Sequence, residues 1–124
     1  GLSGEMWELE ELSRKGEERA KLAIEVFIYQ VKKYIGAFTA LLNGLDSLVF
    51  TGGIGENDSF IREKICGNLS YLGINFDREK NQEIKGKEGK ISASTSSVEI
   101  WVIPTNEELM VARETARIVK ERRK

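Results

Sequence analysis

The stretch VFTGGIGEN, residues 49–57, decides how the rest of the chain is read. It grows out of the apolar run SLVF (47–50), places Gly52, Gly53 and Gly55 close together, and ends on Glu56 and Asn57. SLVF is too short for a helix and is bounded by turn-forming residues. It predicts a strand over 47–51, buried on both faces as in a parallel sheet. Beyond the glycines, Phe60, Ile61, Ile65, Leu69 and Leu72 recur at helical spacing until Gly73, which predicts a helix over 59–72. The order is strand, glycine loop over 52–57, helix. At such a junction the first helical N–H groups are unsatisfied and the helix dipole adds partial positive charge. Glycines there would let a phosphate approach the backbone with no Cβ in the way. The segment is therefore a candidate phosphate cradle. It also reads as a tight βα turn whose glycines serve only positive φ. The named fingerprints do not decide between the two. G-x-G-x-x-G would need a glycine where Asp58 stands, and no Gly-Lys-Ser/Thr of a P-loop follows.

Upstream, residues 4–15 carry Met6, Trp7, Leu9 and Leu12 in a short amphipathic helix that Gly16 breaks. A long helix over 17–43 follows, with Ala23, Val26, Phe27, Val31, Tyr34, Phe38, Leu41 and Leu42 as its apolar stripe. The sequence NGLD (43–46) closes it, Gly44 being the residue suited to the helix end. Downstream, residues 77–90 are charged and glycine-containing and read as a short helical turn and then a surface loop. ISAS (91–94) is a possible short strand. VEIWVI predicts a buried strand over 98–103, ended by Pro104, and Leu109, Ala112, Ala116 and Val119 share one face of a helix over 106–122. Strands alternating with helices imply an α/β fold with a parallel or mixed sheet.

A second constellation is IPTNEEL (103–109). Thr105 and Glu108 have capping-box spacing, which gives Glu108 a structural task. Glu107 has no such task. It either favours the helix N-terminus electrostatically or helps hold a hard cation such as Mg²⁺, directly or through water. Two strand ends that each open a helix would face one crevice, the place where ligands bind in open α/β sheets.

The composition narrows the possibilities. A chain of 124 residues, 40% hydrophobic, is long enough for one domain-sized core. Nineteen basic residues against twenty acidic give a net charge of −1, which offers no footprint for nucleic acid or a membrane surface. The single cysteine, Cys66, excludes an internal disulfide and suits a reducing cytoplasm. It reads as a small core residue, and Trp7 and Trp101 as packing residues. The terminal KERRK reads as a solvated cationic helix end. No apolar run approaches the roughly 18 residues a membrane span needs. The polar N-terminal stretch is not a signal peptide, and without an initiator Met it leads us to expect a processed or excised piece. With no histidine, neither a Ser-His triad nor a histidine metal site can be built from this chain.

The run KYIGAFTALLNGLDSLVFTGGIGENDSFIREKICGNLSYLGINFDREKN (33–81), followed by VIPTNEELMVARET (102–115), closely resembles the C-terminal end of acetate kinases. The resemblance extends from GLSG at the start to the last helix. Its two motifs, FTGGIGEN and IPTNEEL, stand in the family's order and spacing. It implies a ribonuclease-H-like domain of the actin/Hsp70/sugar-kinase (ASKHA) superfamily, of which this chain would be the C-terminal fragment, in an enzyme about three times as long. It further implies reversible transfer of the ATP γ-phosphoryl group to acetate, giving acetyl phosphate and ADP, with Mg²⁺, in a cytoplasmic homodimer. Carried over by motif, the nucleotide-contacting segment falls on Gly53, Ile54, Gly55, Glu56 and Asn57, and the Mg²⁺-associated glutamate on Glu107. The family's acetate-binding and catalytic residues have no counterpart here, so catalytic residues are expected from outside this stretch, and the chain alone is expected to be inactive and self-associating. The rival readings are a propionate kinase segment, which would share these motifs, and a non-catalytic nucleotide-binding or interaction module.

Overall fold

The computed structural model describes residues 2–104. The expected helix over 106–122, the Thr105–Glu108 capping box and Glu107 lie outside the described residues. Helix α1 (Leu2–Arg14) turns at Gly16, whose φ of +90° suits glycine, and packs on the long helix α2 (Glu18–Leu42). Asn43 ends α2 in the left-handed region at φ 60°, and the following Gly44 is also at positive φ. The N–H groups of both reach the Thr39 carbonyl. Strand β1 (Ser47–Phe50) leads into α3 (Gly52–Asn57) and α4 (Ser59–Cys66). After a 3₁₀ turn at Ser70–Leu72 come α5 (Arg78–Glu83), the short strand β2 (Gly89–Lys90) and β3 (Glu99–Val102).

The sheet order is β1-β3-β2. β3 pairs parallel with β1, from Ser47 against Glu99 to Phe50 against Val102, and antiparallel with β2. The sheet is thus mixed. Ile100 and Val102 of β3 are wholly buried and join Phe50, Ile54, Ile61, Ile65, Ile74, Ile91 and Val98 in one core. These strands are not buried on both faces, as their apolar sequences suggested. Val49 is 37% exposed, Glu99 reaches solvent, and Trp101 is half-buried, its indole N–H donating to the Glu99 carboxylate at 3.1 Å. The strands alternate as sheets with one packed face do.

The remaining departures have local causes. The expected helix over 59–72 stops at Cys66. Gly67 is extended and Asn68 takes φ 61°, so the chain turns before the 3₁₀ segment begins. The Lys32 ammonium from α2 donates to the Gly67 carbonyl at 2.6 Å, a cation on the end of α4. The 77–90 segment contains α5, capped by Asp77, whose carboxylate accepts from the Lys80 N–H at 3.0 Å. Along α2 the buried positions are Ala20, Ile24 and Ile35, while Val26, Tyr34, Phe38, Leu41 and Leu42 of the expected stripe are exposed. The helix is apolar on more than one face, and periodicity cannot say which face the core takes. Trp7, expected to pack, is 63% exposed. No described helix is long and apolar enough to cross a membrane.

Candidate functional site

The strand-to-helix junction after β1 is built differently from the expected open loop. Thr51 is extended, Gly52 turns the chain at φ +79°, and residues 52–57 themselves form α3. The three glycines have separate reasons. Gly52 supplies the positive φ. Gly55 permits close packing, since a Cβ there would lie 3.3 Å from the Phe50 carbonyl carbon and 3.4 Å from the Phe50 Cβ. Gly53 is exposed, and of the three it is the one left for an approaching ligand. Ile54 is buried in the core, and Glu56 is buried as well. Asn57 turns its side-chain amide back onto the Gly53 carbonyl at 3.0 Å.

The start of the next helix is already filled. Asp58 caps α4, its carboxylate accepting from the Ile61 N–H at 3.0 Å. Beside it stands Glu10 of α1, only 8% exposed. Burial first, then a hydrogen bond to Asp58 and the charge of that carboxylate, push the Glu10 carboxyl up from 4.5 to about 7, against the pull of Arg14. An anion aimed at the first turn of α4 would meet this acidic pair. The start of α4 is thus closed to an anion by the protein's own carboxylate, whereas the start of α3, which directly follows β1, has no side-chain cap at Thr51.

What the junction does provide is a cavity of about 540 Å³. Residues Thr51–Gly55 line part of it. Phe27 and Val31 of α2, Val49 and Phe50 of β1, and Ile61 and Ile65 of α4 form the rest, with Arg62 among them. Such a volume lies within the usual range for small-molecule sites, roughly 300–1,000 Å³. Its walls are apolar, so it suits the flat, uncharged part of a ligand better than a phosphate. Of the five positions singled out in the sequence, Gly53, Ile54 and Gly55 line it, while Glu56 and Asn57 follow at the end of α3.

Arg62 was not anticipated. It is wholly buried on α4 and donates to the Gly55 carbonyl at 2.9 Å, to the Asn81 side-chain oxygen at 2.7 Å, and to the main-chain carbonyls of Asn81 at 2.7 Å and Ile84 at 2.6 Å. A signal was present in the sequence. Arg62 stands three and four residues before Ile65 and Cys66, on the apolar face of its helix rather than opposite it. Cys66 is the expected core residue, and burial pushes its thiol up to about 12.

Among the described residues, no group of three or more carboxylate, cysteine or histidine side chains is placed to hold a metal ion. The Mg²⁺ expectation rests on Glu107, outside them.

Comparison with known proteins adds to this geometry. A family model described as the acetokinase family matches residues 1–113. The acetate kinase of Dictyoglomus turgidum is 56% identical over 122 residues, covering 98% of this chain and 30% of its own length. That of Thermotoga maritima is 49% identical over 122 residues, with the same two coverages. In the crystal structure of Porphyromonas gingivalis acetate kinase the matching region gives a TM-score of 0.80 at 45% identity, covering 92% of this chain and 29% of that one. A propionate kinase from Francisella tularensis gives 0.74 at 46% identity, covering 88% and 27%. The chain thus spans about 30% of the length of the curated relatives it matches.

Proposed function

The chain belongs to the acetokinase family, and we propose that it forms part of the nucleotide side of an acetate kinase, an enzyme that passes the γ-phosphoryl group of ATP to acetate. The observation that carries this reading is the cavity of about 540 Å³ lined by Gly52, Gly53 and Gly55 together with apolar side chains of α2, β1 and α4. In it the uncharged end of ATP or ADP would pack against Gly53, Ile54 and Gly55, with Glu56 and Asn57 at the segment's end. The phosphates would leave away from the Asp58–Glu10 corner. When bound, Mg²⁺ supplies charge neutralisation to the phosphates, and Glu107 is the residue of this chain that would help hold it.

Phosphoryl transfer is mainly positioning and charge stabilisation around donor and acceptor together. This chain has no histidine and no stretch that resembles the family's acetate-binding motifs, so we assign turnover to residues outside these 124 and expect the chain alone to bind nucleotide without catalysis. A cytoplasmic, homo-oligomeric enzyme completes the proposal. Propionate kinase is the second reading, favoured by the likeness to the Francisella structure.

Titration of the purified chain with Mg-ADP tests the proposal. Saturable binding that Gly53→Val removes, with the circular dichroism spectrum unchanged, supports it. A chain that shows no saturable binding, or a variant that binds as well as the original, overturns the placement. An acetyl phosphate assay on the same sample checks for the absence of turnover.

A further inference from the structure

The carbonyls of residues 53–56 in the glycine segment each accept a hydrogen bond. The Gly53 carbonyl accepts from the Asn57 amide and the Ile54 carbonyl from the Asp58 N–H. The Gly55 carbonyl accepts from Arg62 and the Glu56 carbonyl from the Gly86 N–H at 2.9 Å. Two of these donors belong to one assembly. Arg62 also grips the carbonyls of Asn81 and Ile84, and the chain from Ile84 to Gly86 then runs alongside the end of α3. There Gly86 sits at φ +65°, and a Cβ on it would come within 3.2 Å of the Asn57 side-chain oxygen. Asn81 in turn accepts from the Arg62 Nε at 2.7 Å and donates to the Ser59 carbonyl at 2.9 Å, which ties α5 to the start of α4.

A wholly buried guanidinium is a costly way to fill a core position. An apolar side chain would pack there at lower cost, because burial opposes the charged form. What an apolar residue cannot do is satisfy three carbonyls from two separate segments at once. The planar fork of arginine can, and lysine, with one charged nitrogen on a flexible stem, cannot hold the same directions. The arrangement fits a demand for a fixed shape more than a demand for stability.

We propose that Arg62 is a positioning residue for the glycine segment: through the Gly55 carbonyl and the 84–86 strap it holds Gly53–Asn57 in the form that receives a nucleotide before the nucleotide arrives. This rests on the nucleotide reading above and adds a residue that borders the cavity but acts through the segment it holds. A segment ordered in advance spares the ligand the entropy of ordering it, so its loosening weakens binding.

The test compares the 124-residue chain with its Arg62→Lys variant by site-resolved amide hydrogen exchange and by Mg-ADP titration. In the folded variant, exchange at residues 53–57 and 84–86 accelerates about tenfold or more while β3 keeps its protection, and the Mg-ADP Kd rises about tenfold. Unchanged exchange at 53–57 overturns the proposal. So does acceleration spread equally over β3, which marks a residue that only stabilises the fold. Should Arg62→Lys fail to fold, Asn81→Ala decides by the same readouts, since it removes one Arg62 acceptor and the Ser59 tie while leaving the guanidinium buried. If the original chain does not bind Mg-ADP but Arg62→Lys still loosens 53–57 selectively, the nucleotide reading fails and the positioning of the segment stands.

Discussion

Replacing Glu10 by glutamine should remove a pH-dependent weakness from the fold. Glu10 is 8% exposed, and burial together with Asp58 raises its carboxyl from 4.5 to about 7. A raised folded-state value means that the folded chain holds this proton more tightly than the unfolded chain does. The stability it contributes is fully present below about pH 4.5 and is lost as pH rises through about 7. At about 1.36 kcal/mol for each pH unit between those values, ionised Glu10 leaves the native state less stable by up to about 3 kcal/mol than a neutral side chain would. Arg14 softens this only slightly, because it is exposed and also engages Glu11. Glutamine keeps the shape, stays neutral, and can donate to Asp58. Urea unfolding followed by circular dichroism at pH 5, 6, 7 and 8 reads the difference. We expect the advantage of Glu10→Gln to grow by about 2–3 kcal/mol between pH 5 and pH 8. Two stability profiles that run parallel across this range would show that Glu10 does not titrate where its surroundings place it, and the reasoning about the acidic corner would fail.

Gly55→Ala should lower stability modestly, the pressure of its Cβ on the Phe50 backbone outweighing alanine's helix preference of about 1 kcal/mol. Gly53→Ala should leave thermal stability nearly unchanged and show its effect in Mg-ADP affinity, and the opposite assignment would show that the two glycines have been given each other's roles. Cys66 should resist a thiol reagent in the native chain and react at the rate of unfolding, since burial both covers the thiol and raises it to about 12. A fast native reaction would contradict its place in the core. In an acetate kinase carrying this segment, Glu107→Ala should change the Mg²⁺ dependence of turnover, whereas Glu108→Ala should lower the melting temperature through loss of about 0.5–2 kcal/mol of capping.

The α/β class and the superfamily were legible in the sequence because they rest on long or strongly typed signals. The apolar repeat of α2, the β-branched run at 98–103 and the spacing of two motifs are of this kind. The structural neighbours are acetate and propionate kinases, in keeping with the reading. What could not be read was settled by contacts between distant segments. Glycine is a poor helix former, so GGIGEN reads as a loop. Its helical shape depends on carbonyls held by Arg62 and Gly86. The rotation of α2 depends on which of its apolar faces meets α1 and α4. Asp58 reads as the residue that spoils a fingerprint, whereas its carboxylate is what closes the start of α4. Arg62 stayed hidden because a charged helical residue is usually solvated, although its place three residues from Ile65 was visible.

The parallel pairing of β1 with β3 sets the order in which the chain can acquire its shape. Ser47 meets Glu99, and everything from α3 to β2 lies between them. Such a pairing bears a long loop-closure entropy before any contact rewards it, while α1 and α2 are joined by a turn at Gly16 and meet through near neighbours. On a ribosome the helical pair would therefore form early, and SLVF would stand without a partner until β3 had emerged. During that interval an apolar strand with free edges is exposed, the circumstance in which nascent chains aggregate or engage chaperones. Slowing synthesis between residues 50 and 99 would lengthen that exposure.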